Sequence, residues 1–131
     1  MRRAILIDHR NAFCATVETF FKKEGAKIGW ELTKDDVCME QLSIPEDVEV
    51  MFLHVARWEE WFEKLTESGT KLKVVFAMST ANVEDILSNE DIRKVVDNFK
   101  KATKAEVFPF GCNLNNPEGR EGLKKALRKI T

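Results

Sequence analysis

The sequence predicts an α/β protein: a parallel, doubly wound sheet of five strands with helices on both faces. Three observations carry this expectation. Short apolar runs at 4–7 (AILI), 48–55 (VEVMFLHV) and 72–78 (LKVVFAM) read as strands covered on both sides. Between them lie segments whose apolar residues recur at helical spacing. The two kinds alternate along all 131 residues, the order of right-handed β-α crossovers and not of hairpins. The length suits a single domain with its own core.

The elements follow in order. The first strand, Ala4 to Ile7, stops at the polar stretch Asp8-His9-Arg10-Asn11. A helix is expected over 11–24, capped by Asn11, with Phe13, Val17, Phe20 and Phe21 inward and Gly25 just past its end. The second strand, 27–32, is mixed in character and interrupted by Gly29, which places it at a sheet edge. A short helix over 34–42 ends before Pro45. The third strand, 48–55, is apolar except for Glu49 and His54 and belongs at the centre. The next helix carries Trp58, Trp61, Phe62 and Leu65 on one stripe, with partial exposure open to Trp58 in its first turn and Gly69 closing it. The fourth strand, 72–78, ends in Ser79-Thr80, either of which can cap the next helix. Residues 81–102 read as one kinked helix or two short ones, with a second cap signal at Ser88-Asn89-Glu90-Asp91. The fifth strand is expected over 105–110, with a loop over 111–116 after it. Asn116-Pro117 opens a last helix that turns Leu123, Ala126, Leu127 and Ile130 toward the core. Five such units favour the flavodoxin-like strand order 2-1-3-4-5, because a closed barrel needs far more chain.

Composition excludes several classes of function. Lys plus Arg number 21 and Asp plus Glu 22, so there is no electrostatic footprint for nucleic acid or an anionic membrane. The basic run from Arg120 to Lys129 is interleaved with apolar residues and reads as the wet face of an amphipathic helix. The three cysteines, Cys14, Cys38 and Cys112, are scattered and lack zinc-type spacing, which suits a reducing compartment. Cys112 reads as a free, partly buried thiol. Neither a signal-peptide core nor an apolar run of membrane length is visible, so a cytoplasmic protein is expected. No glycine-rich phosphate cradle comes after the first strand, and no hydroxyl-rich flavin loop is found. No cofactor is predicted.

Taken together, this pattern resembles the receiver domains of response regulators, over the whole chain and in order of elements more than in strict motif. Receivers carry an acidic pair after the first strand, a phosphate-accepting Asp at the end of the third, a Ser or Thr at the end of the fourth, and Lys-Pro after the fifth. Here Asp8 matches one acid and His9 stands in place of the other. His54 stands at the acceptor position, Ser79 and Thr80 match the hydroxyl, and Phe108-Pro109-Phe110 has no Lys. Receiver chemistry needs Mg²⁺ held by several carboxylate oxygens, so the resemblance implies a degenerate, non-phosphorylatable pseudo-receiver acting in signal transduction through protein contacts. The residues of the vestigial site are Asp8, His9, His54, Ser79 and Thr80. Receivers pair through the face made by their fourth helix, fifth strand and fifth helix. That implies a protein partner or a homodimer at Val107, Phe108 and Phe110. A narrower likeness to the first strand-loop-helix of class I glutamine amidotransferases ends there, since no nucleophile elbow is present.

Independently of the family, the topology brings the first and third strands together, and with them Asp8, His9 and His54. An Asp accepting from an imidazole fixes a tautomer. This edge is therefore the alternative seat of function: a small enzyme, a pH-sensitive switch, or a ligand or metal half-site. Two His and one Asp without an activated nucleophile make an incomplete catalytic set. The competing reading is a structural hydrogen bond.

Overall fold

The computed structural model describes residues 1–8, 15–34, 44–78, 82–111 and 114–130. Five strands, β1 (Arg2–Asp8), β2 (Trp30–Lys34), β3 (Val48–His54), β4 (Val74–Met78) and β5 (Glu106–Pro109), form one sheet in the order β2-β1-β3-β4-β5. Every neighbouring pair is parallel. This is the flavodoxin-like α/β arrangement that the alternation of apolar runs and helical segments implies.

Helices cover both faces. α2 (Trp58–Glu67) and α4 (Glu90–Thr103) lie on one, with Trp58, Trp61, Phe62, Leu65 and Phe99 packed against Ile5, Met51, Leu53 and Val75. α1 (Ala15–Phe20) and α5 (Pro117–Arg128) lie on the other, with Val17, Phe20, Leu123 and Leu127 against Leu6, Phe52 and Phe76. Alternate strand residues supply the two cores, as the two-residue repeat of a strand requires. β3 and β4 are buried on both faces because helices cover both.

Helix ends differ in places from the expectation. Gly25 does not end the first helix: α1 runs on through a π turn (Phe21–Gly25) and a 3₁₀ turn (Ala26–Ile28) to Gly29, whose φ of 80° closes it. Gly25 serves a close approach instead. A Cβ there would lie 2.8 Å from Phe21 Cδ1 and 2.9 Å from the Trp30 carbonyl oxygen. β2 accordingly begins at Trp30 and has no glycine within it. Residues 83–103 form two helices, α3 (Val83–Ser88) and α4, and the side chains of Asn82 and Asn89 cap them. A hydroxyl at Ser79 or Thr80 is therefore not the cap of α3. Trp58 is buried, not partly exposed, and its indole donates to the Val55 carbonyl at 2.9 Å. Asn116 caps α5 by accepting from Gly119 N–H at 2.7 Å. Lys34, where the sequence places the start of a short helix over 34–42, ends β2; the rest of that segment, the Asn11 cap, Phe13 and all three cysteines lie outside the described residues.

Candidate functional site

The carboxyl edge of the central strands is set by an irregularity at their other end. Arg3 pairs with Val48 but Ala4 pairs with Val50, so Glu49 is an extra residue in β3, a β-bulge. From there the ladder runs regularly, and it ends with Asp8 opposite His54 and His54 opposite Met78. Were Glu49 paired with Ala4 in unbroken register, Asp8 would lie opposite Leu53, and the polar residues ending the two strands would miss each other. Asp8 has the parity of Ala4 and Leu6, and His54 that of Val50 and Phe52. Both side chains therefore face the α1/α5 side.

There they meet. His54 Nδ1 lies 3.1 Å from Asp8 Oδ1, and the two side chains are 5 % and 3 % exposed. A carboxylate can only accept, so the bond to an ionised Asp8 has the proton on Nδ1. A buried polar pair of this kind is costly to separate, because either group alone would lose its partner without regaining water. His9, Ser79 and Thr80, which the sequence placed beside this pair, lie outside the described residues. No three His, Cys, Asp or Glu side chains among the described residues converge as a metal site requires.

The bulge also builds a polar cluster at the opposite, amino edge. Arg2 grips Glu49 with two hydrogen bonds of 2.8 Å, and Lys73 Nζ lies 2.8 Å from the same carboxylate. The Arg2 guanidinium stacks 4.7 Å over the Trp30 ring and donates to the Ile130 carbonyl at 2.7 Å. The hydrogen bond from Arg2, ahead of that from Lys73, pulls the Glu49 carboxyl down to about 2. This cluster ties β1, β3, the start of β4 and the end of α5 together.

No protein-family model, curated protein or solved structure matches this chain.

The three residues expected on a partner face lie on both sides of the edge strand β5 and just past its end. Val107 pairs with Val75 and packs against the α2/α4 core. Phe108 pairs with Phe76 and, with Phe110, belongs to the α5 side. Phe110 is half-buried against Phe52 and Phe76, at centroid distances of 5.6 and 5.4 Å. Phe108 is 43 % exposed; with Met1 it makes up the exposed large hydrophobics of the described residues. Beside it, between α5 and the β4–β5 strands, lies an open trough of about 890 Å³. Sequence reasoning missed it because it depends on where α5 rests. The signal available in advance was the small side of that helix, Gly122 and Ala126 one turn apart.

Proposed function

We propose that this chain is a receiver-like regulatory module that acts through protein contacts and takes up no phosphoryl group. The observation that carries this reading is the Asp8–His54 pair. A receiver needs a carboxylate nucleophile at the end of its central strand. Here that position is an imidazole, buried and hydrogen-bonded to the acid of the neighbouring strand. The segments after β1, β3, β4 and β5, at 9–14, 55–58, 79–83 and 110–117, contain no Asp or Glu. Asp8 is the carboxylate that the ends of β1, β3, β4 and β5 offer a hard cation, which takes most of its ligands from oxygen; Asp35 and Asp36 follow the end of the edge strand β2 in the sequence. The strand order supports the reading only as fold analogy. The exposed Phe108 on an edge strand supports the contact half of it.

Incubation with acetyl phosphate and Mg²⁺, then intact-mass measurement, tests the reading. The expected outcome is an unmodified chain. A stoichiometric phosphoryl adduct, on His54 or elsewhere, overturns it.

A further inference from the structure

The trough beside β5 has two unlike ends. α5 runs from the carboxyl edge of the sheet back to the amino edge, where the Ile130 carbonyl accepts from Arg2. Lys129 is therefore at the amino edge. Lys73 is there too: its N–H donates to the Glu49 carbonyl, and its own carbonyl accepts from Glu106. Lys71 comes just before β4. Lys104 closes α4 in the left-handed conformation, with φ of 63°, and comes just before β5. All four lysines line this one end of the trough, and Lys125 stands on the helix about 6 Å above Lys129. Away from that end the lining is apolar. Val74, Phe76 and Phe108 make the floor, with Gly122 and Ala126, one turn apart, on the α5 side. Because both helix residues are small, the channel stays open and the Phe108 ring stays uncovered.

The charges at the amino end do not cancel. Glu49 engages Lys73, and Glu106 is the single acid among the lining residues. Lys71, Lys104 and Lys129 form no ion pair with a described residue. Cations at the ends of α4 and α5 complement the helix dipoles, which accounts for Lys104 and Lys129. It does not account for Lys71, nor for an apolar channel leading away from the cluster. We infer that the trough binds a small amphiphilic anion: a carboxylate with an apolar body about 10 Å long, the span from Lys129 to Gly122 along the helix. The head sits among Lys71, Lys104 and Lys129. Glu106 offsets one of these cations, so a singly charged head suffices. The body lies over Val74, Phe76 and Phe108, and takes the Phe108 ring out of water. A volume of about 890 Å³ is in the range of small-molecule sites. A second copy could offer α3, where Glu84 and Asp85 stand beside Val83, Ile86 and Leu87. Those three already pack in part against the α2/α4 core, and the test includes that occupant. The site lies at the opposite edge of the sheet from Asp8 and His54, and the inference goes beyond the proposed function without resting on it.

The test titrates the full chain with octanoate below its micelle-forming concentration and follows the amide NMR signals. Octanol, octylammonium and acetate are the controls. Octanoate should shift the amides that line the trough, saturably and at one site. Octylammonium, with the same tail and the opposite charge, should bind at least about tenfold more weakly. Acetate, which has the head alone, should weaken by at least as much. Lys104→Gln/Lys129→Gln should weaken octanoate by at least about fivefold and leave octanol as in the wild type. Gly122→Leu, whose new side chain starts in open space, should keep the fold by circular dichroism and weaken octanoate and octanol alike. Any one of five results overturns the inference: no saturable shift, shifts scattered outside the trough, octylammonium binding as octanoate does, the Gln variant binding octanoate as wild type does, or Gly122→Leu doing so. A concentration-dependent dimer that Gly122→Leu abolishes also overturns it, in favour of a second copy. Sedimentation with phosphatidylglycerol vesicles that octanoate fails to displace overturns it in favour of a membrane surface. None of these results bears on acetyl phosphate, and a phosphoryl adduct would sink the receiver reading while leaving the trough as it is.

Discussion

The two faces of the sheet are held by different physics. On the α2/α4 face, rings interlock: Phe62 meets Trp58 at 6.2 Å and Phe99 at 5.3 Å, and Phe62, Leu65 and Phe99 have no exposed surface. On the α1/α5 face a run of phenylalanines, Phe20, Phe21, Phe52 and Phe76, crosses the sheet, but α5 seats only Leu123 and Leu127 fully, and the trough begins beside them. The polar cluster of Arg2, Glu49 and Lys73 holds the far end of α5, through the Ile130 carbonyl. One face is closed by packing. The other is partly open and fastened by charge.

Truncation of matched aromatics should break the symmetry most visibly. Phe62→Ala removes a fully buried ring and should cost about 3–5 kcal/mol in urea unfolding. Phe108→Ala, at the lip of the trough, should cost under about 1 kcal/mol. Equal losses would mean that the trough is filled and the two faces are alike.

Acid should sharpen the difference next. Glu49 is depressed in the fold to about 2 from an ordinary 4.5, so its contribution is complete above about pH 4.5 and is lost as pH falls toward 2. With its side chain 21 % exposed, the contribution after solvent screening is about 1–3 kcal/mol. Between these pH values, hydrogen exchange should show α5 amides losing protection before those of α4. Glu49→Gln should lower stability at neutral pH and flatten the acid limb. Simultaneous loss in α4 and α5 would show that the charge cluster fastens the whole sheet and not one face.

Much of this organisation is legible from residues alone. The apolar runs name the strands, the alternation names their order, and Asn89 and Asn116 announce the helices they cap. The meeting of Asp8 and His54 follows from strand order, but its register does not, because it needs the bulge. Glu49 is visible in the sequence only as a break in an apolar run. Gly25 misled because a glycine after charged residues is the usual sign of a helix end; that a carbonyl passes close to it is a tertiary fact. Val107 and Phe108 could have been assigned to opposite sides by strand alternation, since adjacent residues cannot share a face. The trough was beyond reach because helical periodicity shows which side of α5 is apolar and not how far along the sheet the helix sits.

The gentlest probe is a pair of identical substitutions at two helical glycines. Gly25 has ordinary helical angles, so Gly→Ala asks nothing new of its backbone. The added methyl nevertheless meets the Trp30 carbonyl and the Phe21 ring inside 3.0 Å, with buried residues on both sides. The strand or the ring has to shift, and the change should cost about 1–3 kcal/mol. Gly122 lies within α5, and a Cβ there meets nothing within 4 Å. Ala at that position removes the entropic penalty of glycine in a helix and should stabilise by about 0.5–1 kcal/mol. Opposite signs for the same change on the same face would localise the looseness to the β4–β5 end, leaving the α1 end as tightly packed as the α2/α4 core. Destabilisation at both positions would mean that α5 lies closer to β5 than the trough allows.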